Sequence, residues 1–596
     1  MNEYIAPIRD MKFVLGELAG LDEVIALPGY EDCTPELTDA VLEEAGKLAN
    51  EVLSPLNQKG DRAGTVLGPD GVVAAEGFGD AYQAFAENGW CGLSADPEHG
   101  GQGLPGTIGA AVSEMWNSAN FAFSLCPMLS VGAMEAIAAH GSDELKALYL
   151  PRMTSGAWTG TMNLTEPQAG SDLAAVRTRA VPDGNRYRIF GQKIFITWGD
   201  HDMAENIVHL VLARLPDAPA GTRGISLFLV PKYLVNPDGT LGPRNEVACA
   251  SLEHKLGIHA SPTCVMVFGE KDGAIGYLVG EPNHGLAHMF TMMNEARQKV
   301  GIQGIGIAER AYQAARDYAK ERIQGQPVGY NGTGKAAIIH HPDVRRMLMT
   351  MKARVEAMRA LGYVLSADAD RAARHPDADE RRCRQARVEL LTPVLKAWCT
   401  ELGQEIASTG VQIHGGMGYV EETGAAQFLR DARISTIYEG TTGIQAADLV
   451  GRKLARDKGA AMAVVIGEMR DTEERLSTTN GLEHSIIRTH FGPAIDALEQ
   501  ATAWILATLA SDPAAAMAAS VHYTMLTGYV CGGWQMARAA LVATAKREAP
   551  DDADFLRAKL TTAAFYAEQF LPQTAALLTT IRCGDSRVRA MGDEDF

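Results

Sequence analysis

Cysteine is scarce in this sequence and forms no pattern. Nine cysteines are scattered over 596 residues, from Cys33 to Cys583, without a Cys-x-x-Cys pair or a closely spaced even set. This spacing excludes a disulfide-stapled secreted scaffold and predicts reduced thiols in a cytoplasmic protein. The first ten residues lack a charged segment followed by an apolar core, so a secretory leader is not expected. An apolar run long enough to span a membrane is not expected either.

Basic residues and metal-binding patterns are scarce as well. Acidic residues outnumber basic residues by 73 to 54, which gives a formal net charge of −19. A diffuse acidic excess argues against nucleic acid as the natural partner. The histidines are isolated: His254 and His259, for example, are five residues apart with no carboxylate at ligand spacing. No metal site is predicted.

The hydrophobic periodicity changes twice along the chain, and the length predicts more than one core. Apolar residues recur at helical spacing from Pro35 to about Met153, and alternating β-type runs with an Asp-Gly hairpin turn follow from Trp158 to about Gly280. Helical spacing then returns and continues to the end in an alanine-rich stretch. The predicted domains are residues 1–34 (N-terminal extension), 35–157 (helical), 158–280 (β), 281–456 (helical bundle) and 457–596 (additional helical domain).

Four short segments carry residues that can do chemistry. Tyr438-Glu439-Gly440-Thr441-Thr442 places a carboxylate beside a glycine and two hydroxyls, just before an amphipathic helix. Alone, this segment would be a helix start capped by one of the threonines. The other three segments are Thr165–Asp172, Phe195–Gly199 and Val411–Tyr419. In their order along the chain, the four resemble the signature segments of the acyl-CoA dehydrogenases, flavoenzymes that desaturate acyl-CoA thioesters.

The resemblance, which runs from about Pro35 to Leu454, implies a fold and a catalytic base. The implied fold class is mainly α with an inserted β domain: a helical N-terminal domain, a β-barrel-like middle domain, a C-terminal four-helix bundle and an extra C-terminal helical domain, as in the longer members. Glu439 would remove the α-proton of the thioester while FAD accepts a hydride from the β-carbon, giving a trans-2-enoyl-CoA. Some members carry the base just before the arginine that Arg297 matches. In this chain Ala296 stands there, and Glu295 is displaced by one residue, about 100° around a helix.

The resemblance also implies which residues contact FAD and acyl-CoA. Those expected to bind FAD are Met162, Leu164, Thr165, Phe195, Thr197, Arg322, Gln412, Gly415, Gly416 and Thr441. Those expected to bind the substrate are Ser171, Asn294, Arg297 and Gly440, with a helix-surface arginine as the alternative for Arg297. In the family the glycine pair contacts the FAD of a neighbouring subunit, so a homodimer or tetramer is implied. The chain departs from the family pattern at Ile323–Gln326 and at Gly443, where no FAD contact is assigned.

The resemblance finally implies partners and a substrate class. Electron-transfer flavoprotein is the implied electron acceptor. The extra C-terminal domain and the segment Lys255–Cys264 resemble the long bacterial members most, which implies 3-methylmercaptopropionyl-CoA, from dimethylsulfoniopropionate breakdown, as the substrate. A short- or medium-chain fatty acyl-CoA is the alternative substrate. Two other classes stay open: an acyl-CoA oxidase, which would produce peroxide in air, and a flavin-binding protein without a working base, against which Glu439 and the acidic charge argue.

Overall fold

The computed structural model describes residues 4–546 and 552–596, except for the side chain of Asn294. The described chain forms two compact units. One, the helical unit, comprises the residues up to Glu43, Pro105–Glu114 and the residues from Val300 onward. The other, the β unit, comprises Glu44–Leu104 and Met115–Lys299. The first two signature segments therefore lie in the β unit, and the last two lie in the helical unit.

Helices account for most of the described chain, and several begin with a side-chain cap, as at Asn120, Ser142 and Asp377. Before the main sheet they are Ile8–Phe13, Leu21–Ile25, Pro35–Leu48, Ser54–Ala63, Phe78–Glu87, Gly106–Ala119, Phe121–His140 and Asp143–Thr154. After it they are Gly285–Glu321, Pro342–Arg374, Ala378–His414, Ala425–Ala432, Thr442–Asp448, Ala460–Thr478, Leu482–Ser511, Pro513–Ala518, Ser520–Ala545, Ala553–Phe570 and Gln573–Cys583. The predicted return of helical structure after the β region is confirmed.

The C-terminal helices pack directly on the long helices of the bundle. Ser520–Ala545 contacts both Pro342–Arg374 and Ala378–His414. A Cβ atom on Gly528 would lie 2.3 Å from Cγ of Trp398, so only glycine allows the helices to approach this closely. Trp398 is fully buried. The extra helical domain, which the sequence predicts, therefore shares a hydrophobic core with the bundle.

A buried network of charges also joins three parts of the helical unit. Nη1 of Arg359 lies 2.6 Å from Oδ2 of Asp10 near the N-terminus, and its Nη2 lies 2.7 Å from Oε2 of Glu309. Lys559, in the C-terminal domain, pairs with the same Asp10 and lies 3.0 Å from Oε2 of Glu356. Burial would raise the pKa of Asp10, but the charges of Lys559 and Arg359 outweigh burial and hold that pKa below its usual value. Asp10 thus ties the first helix to both the bundle and the C-terminal domain.

The β unit is built on a main sheet of eight strands, counted over the described residues, with two short hairpins beside it. The strands are β1 (Val66–Gly68), β2 (Gly71–Val73), β3 (Trp158–Asn163), β4 (Arg179–Asp183), β5 (Arg186–Thr197), β6 (Asn206–Arg214), β7 (Ile225–Pro231), β8 (Tyr233–Val235), β9 (Leu241–Arg244), β10 (Val247–Leu252), β11 (Thr263–Phe268) and β12 (Ala274–Val279). The order in the main sheet is β10-β11-β5-β12-β7-β6-β3, and β4 pairs with β5 and β6. β3 runs parallel to β6, whereas β5 is antiparallel to both β11 and β12. Since β6 and β7 are buried along almost their whole length, the sheet is covered on both faces at these two strands.

The predicted Asp-Gly hairpin is confirmed. Asp183 of β4 lies opposite Arg186 of β5, and Gly184 in the two-residue turn between them has φ 68°. The hairpin β1–β2, in contrast, lies in a stretch for which the sequence predicts only helices. Its anchor is Oδ2 of Asp200, which accepts a hydrogen bond from Val72 N at 3.2 Å, across 128 positions of sequence. A contact this distant leaves no periodic signal.

The helix Phe121–His140 corrects one prediction. It is 20 residues long and contains an 18-residue window with a mean hydropathy of 1.6, which is long and apolar enough to cross a membrane by these two measures. The prediction that no apolar run reaches that length is therefore wrong. The helix packs on β3, and 78% of its apolar window is buried inside the protein. That burial is typical of a core helix.

Candidate active site

Strand β5 carries the aromatic signature segment and is irregular there. Thr263 pairs with Thr197 and Cys264 with Ile196, but the register then shifts, which marks a β-bulge at Phe195. Phe195 has φ 59°, a left-handed conformation. Such strain costs a bulky residue roughly 1–3 kcal/mol. Phe195 is also 58% exposed, so its aromatic ring is open to solvent while its backbone is strained.

The loop after β3 runs beside this strand. Met162, Leu164 and Thr165 are all partly exposed. The carbonyl of Thr165 accepts a hydrogen bond from Ile194 N at 2.9 Å, and the carbonyl of Leu164 accepts one from Nζ of Lys193 at 3.0 Å. The structure therefore brings the first set of predicted FAD residues against the strand that carries the aromatic segment.

The predicted substrate residues of the β unit differ in exposure. Ser171 lies on an exposed bend, just before Asp172 caps a short 3₁₀ helix. Arg297 is only 6% exposed, so the alternative of a solvated surface arginine is wrong. The side chain of Asn294 lies outside the described part of the chain, and its role stays a prediction.

Glu295, the other carboxylate considered as a base, takes part in ion pairs. It pairs with Lys299 one turn further along the same helix. Nζ of Lys299 also lies 3.7 Å from Oε1 of Glu135. The geometry therefore gives Glu295 a partner within its own helix.

Glu439 lies in a tight turn that its neighbours fix. Its φ is 54°, and Gly440 follows with φ 92°. Nε2 of Gln445 donates to the carbonyls of Glu439 (3.1 Å) and Gly440 (3.2 Å). The φ of Gly440 favours glycine, and a Cβ atom there would also lie 2.6 Å from that same Nε2 and displace the Gln445 side chain. Thr441 caps the next helix: its hydroxyl accepts from Ile444 N at 3.2 Å.

Tyr438, just before the candidate base, is a hydrogen-bond donor. Its hydroxyl donates to Oε1 of Gln303. Burial, followed by the negative charge of Glu439, raises the pKa of Tyr438 well above its usual value. Sequence reasoning missed Gln303 and Gln445. Gln445 could have been found, because it lies in the first turn after the cap, whereas the Gln303 contact crosses 135 positions.

The glycine segment forms an open surface at the end of the helix Ala378–His414. Gly415 ends the helix with φ 62°, and no atom lies within 4 Å of a Cβ built on Gly415 or Gly416. Gln412 and both glycines are exposed. Tyr419 is 88% exposed, which is unusual for an aromatic residue. A ligand phosphate could approach this backbone closely.

A groove of about 300 Å³ includes Gln412. It is lined by Arg346, Met347, Thr350, Ser408, Thr409 and Gln412. Arg322, the predicted diphosphate ligand, is exposed and follows the end of the helix Gly285–Glu321. Its carbonyl accepts a hydrogen bond from Ile338 N at 2.8 Å, which fixes the backbone there.

Within the described residues, no group of three or more histidine, cysteine, aspartate or glutamate side chains is arranged to hold a metal ion. All nine cysteines belong to the described part of the chain, and all are free thiols. The helical unit thus contains a carboxylate turn and an open glycine segment, and the β unit contains an irregular strand that exposes an aromatic ring.

Comparison with known proteins identifies the family of this chain. Residues 35–157, 161–270 and 283–454 match the N-terminal, middle and C-terminal domains of acyl-CoA dehydrogenases, and residues 465–592 match the domain described as acetyl-CoA dehydrogenase C-terminal like. The 3-methylmercaptopropionyl-CoA dehydrogenase of Ruegeria pomeroyi is 49% identical over 98% of this chain and 99% of its own length. The chain belongs to the acyl-CoA dehydrogenase family.

Other members of the family are also similar to this chain in sequence or in fold. A butyryl-CoA dehydrogenase of Syntrophomonas wolfei is 34% identical over 100% of this chain and 99% of its own length. The crystal structure of an acyl-CoA dehydrogenase from Bacillus anthracis, complexed with FAD, aligns with a TM-score of 0.73 at 21% identity, over 96% of this chain and 91% of that one. The predicted family and fold class are confirmed.

As an acyl-CoA dehydrogenase, the protein is an FAD-dependent oxidoreductase that desaturates acyl-CoA thioesters. Its residues fit that cofactor. The exposed ring of Phe195 offers a flat face to an isoalloxazine ring. The open backbone at Gly415-Gly416 offers unobstructed approach to a diphosphate.

Proposed function

We propose that this acyl-CoA dehydrogenase acts on 3-methylmercaptopropionyl-CoA in dimethylsulfoniopropionate catabolism. The observation that carries the proposal is the 49% identity to the Ruegeria pomeroyi enzyme over nearly the whole of both chains, the C-terminal domain included. A butyryl-CoA dehydrogenase, which represents the alternative of short-chain fatty acyl-CoA, is 34% identical over a similar span. A thioether sulfur and a methylene differ little in volume, so discrimination between the two substrates should be modest, roughly 10- to 200-fold.

The substrate is tested by anaerobic bleaching of the bound flavin across a panel of acyl-CoA thioesters. The thioether substrate should reduce the flavin with the highest ratio of rate to apparent Kd, followed by straight acyl chains of similar length. A long-chain acyl-CoA reducing the flavin best would overturn the substrate and leave the family unchanged.

Glu439 is the proposed catalytic base. An α-proton of a thioester is weakly acidic, so its removal needs a carboxylate held in a fixed place. The two hydrogen bonds from Gln445 and the cap at Thr441 hold the backbone around Glu439. Tyr438 stays protonated, so it does not compete for the proton. Gly440 allows the backbone conformation of the turn. We also propose that its lack of a side chain leaves room for the thioester.

Residues of each unit are proposed to contact FAD. In the β unit, the residues that would contact the ring system are Phe195, Thr197, Met162 near the end of β3, and Leu164 and Thr165 in the loop that follows. In the helical unit Arg322 and Thr441 are proposed to contact FAD, and Gln412, Gly415 and Gly416 are proposed to contact the diphosphate and adenosine of the FAD bound by a neighbouring subunit. Ser171, Asn294 and Arg297 are proposed to lie along the CoA moiety. When bound, FAD supplies the electron acceptor that the dehydrogenation needs, and the purified protein should be yellow with one FAD per subunit.

Electron-transfer flavoprotein is the proposed oxidant of the reduced enzyme. With that protein as acceptor and 3-methylmercaptopropionyl-CoA as substrate, steady-state turnover should be fast, and turnover in air should be slow. Peroxide production in air at the full rate of turnover would favour the acyl-CoA oxidase class instead. The free thiols are consistent with a cytoplasmic location.

A homodimer or tetramer is proposed as the working form. Support comes from the apolar side chains of Met417 and Tyr419, which are 49% and 88% exposed beside the proposed diphosphate site. Exposed apolar side chains of this kind mark interaction surfaces when they cluster. Light scattering of the FAD-loaded enzyme should give at least twice the subunit mass, and an active monomer would contradict the proposal.

A further inference from the structure

A buried ion pair lies beside the loop to which the proposed function assigns FAD contacts. Nζ of Lys193 is 2.8 Å from Oε1 of Glu166, and the two side chains are 0% and 3% exposed. Lys193 belongs to β5, two positions before Phe195, and Glu166 follows the loop after β3. Both residues lie in the β unit.

Lys193 does more than pair with the carboxylate. The same Nζ donates to the carbonyl of Leu164 at 3.0 Å. The next residue, Ile194, donates its N–H to the carbonyl of Thr165 at 2.9 Å. Two consecutive residues of β5 thus hold two consecutive carbonyls of the loop.

Glu166 is satisfied by protein donors on several sides. Its carboxylate accepts from Arg177 N at 2.7 Å, from Thr178 N at 3.0 Å and from Nε2 of Gln168 at 2.6 Å. Burial would raise the pKa of Glu166, but the charge of Lys193 and these hydrogen bonds lower it to about 2. A carboxylate with a pKa this low stays ionised at neutral pH and is a weak proton acceptor. Its function in the fold is to hold Lys193 in place.

We propose that Lys193 and Glu166 are positioning residues, which fix the carbonyls of Leu164 and Thr165 so that the loop is already shaped for FAD. This inference rests on the proposed FAD contacts of that loop. Replacing a buried ion pair by uncharged residues of similar volume is often neutral or stabilising, so a general gain in stability does not by itself explain the pair. The pair lies between the loop and the strand that carries Phe195, and this position lets it hold the shape of the loop.

The test removes both charges together. Lys193→Met alone would leave an unpaired buried carboxylate, so Lys193→Met is combined with Glu166→Gln. The double variant should bind FAD roughly 10- to 100-fold more weakly, the loss expected for a hydrogen bond to a charged donor. The visible absorption bands of the bound flavin should also shift, whereas the melting temperature of the FAD-free protein should change little.

A second pair in the same unit supplies the matched control. Nζ of Lys232 lies 2.6 Å from Oδ1 of Asp200 and donates to the carbonyl of His201 at 3.2 Å, which repeats the arrangement away from the loop. Lys232→Met combined with Asp200→Asn should leave FAD affinity and the flavin spectrum as in the wild type. Equal losses in both double variants would reduce the effect to general destabilisation and overturn the proposal.

Hydrogen exchange of the wild-type protein tests the preformed loop without any variant. The amide of Ile194, which bonds to Thr165, should already be protected from hydrogen exchange in the FAD-free protein. Rapid exchange of that amide until FAD is added would overturn the preformed loop. Wild-type FAD affinity in the Lys193–Glu166 double variant would overturn the positioning role while the proposed function stands. A wild-type protein that binds no FAD would overturn both.

Discussion

Glu439 of the helical unit and Phe195 of the β unit share a left-handed backbone, with φ values of 54° and 59°. They differ in which contacts keep the backbone in this conformation. The turn at Glu439 is fixed locally, by Gln445 six positions away and by the cap at Thr441. The bulge at Phe195 is fixed at long range, by pairing with β11 about 70 residues later and by the loop after β3.

The difference separates two tasks. A locally fixed turn presents one carboxylate, so substitutions of Glu439 or Gln445 should affect proton removal and leave cofactor binding intact. A strand fixed by its sheet presents a binding surface, so substitutions there should affect FAD retention first. Strain of this kind persists where the surroundings determine the conformation, and it is frequent at functional sites.

The largest expected effect is at Glu439. Glu439→Gln should retain FAD and bind acyl-CoA, yet its flavin should be reduced at least 10²- to 10⁴-fold more slowly, roughly the contribution of a positioned acid or base, because an amide cannot accept the α-proton. Stopped-flow absorbance under anaerobic conditions measures the rate. Glu295→Gln is the matched control and should reduce its flavin at near the wild-type rate. The reverse outcome would assign the base to the other helix.

At Phe195, cofactor affinity and stability should change in opposite directions. Phe195→Gly removes the ring that would stack on the flavin, and FAD affinity should fall roughly tenfold, in line with about 1 kcal/mol for an aromatic contact. The same change relieves the left-handed strain, so the FAD-free protein should be as stable or more stable in urea. Phe195→Tyr keeps the ring and should bind FAD normally. A Phe195→Gly protein with unchanged FAD affinity would remove the residue from the site.

Gln445 tests the local turn. Gln445→Leu removes both hydrogen bonds to the carbonyls of Glu439 and Gly440, so the base should lose its fixed position. Flavin reduction should slow by roughly tenfold, equivalent to about 1.4 kcal/mol, with FAD affinity unchanged. Equilibrium binding and single-turnover kinetics on the same variant separate the two quantities. A loss confined to FAD binding would contradict the assignment of proton removal to the turn at Glu439 and of FAD binding to the strand at Phe195.

The smallest expected effect is at Gly416. No atom lies within 4 Å of a Cβ built there, so Gly416→Val should fold with near wild-type stability. The added side chain should still obstruct the diphosphate, and FAD affinity should fall several-fold. Isothermal titration of the FAD-free protein with FAD measures this. Gly440→Val is the contrasting change, because its Cβ would meet Gln445 and its φ is 92°, so it should destabilise the protein itself.

The sequence predicts the elements whose signals are local. The Asp-Gly hairpin, the alternating strands and the alanine-rich C-terminal helices all follow from short patterns, and the structure has them. The bulge at Phe195 does not follow, because it depends on the register with a strand far along the chain. The burial of Lys193 does not follow from the sequence either, because its partner Glu166 lies 27 positions earlier.

The candidate site divides in the same way. Glu439 is proposed as the base from the segment that contains it, and the cap that one of the two threonines could form is found at Thr441. The burial of Arg297 and the contact between Tyr438 and Gln303 depend on which helix faces pack together, and a single sequence does not contain that information. The apolar helix Phe121–His140 is the converse case, since its composition permits two environments and only its packing on β3 distinguishes them.

The most direct measurement separates proton removal from dehydrogenation. An acyl-CoA analogue with sulfur in place of the β-carbon cannot be desaturated, but its α-proton can still be removed and replaced. In D₂O, the FAD-loaded wild-type protein should exchange that α-proton for deuterium, and so should Glu295→Gln. Glu439→Gln should bind the analogue without exchange, whereas exchange at the wild-type rate in Glu439→Gln would contradict the assignment of Glu439 as the base.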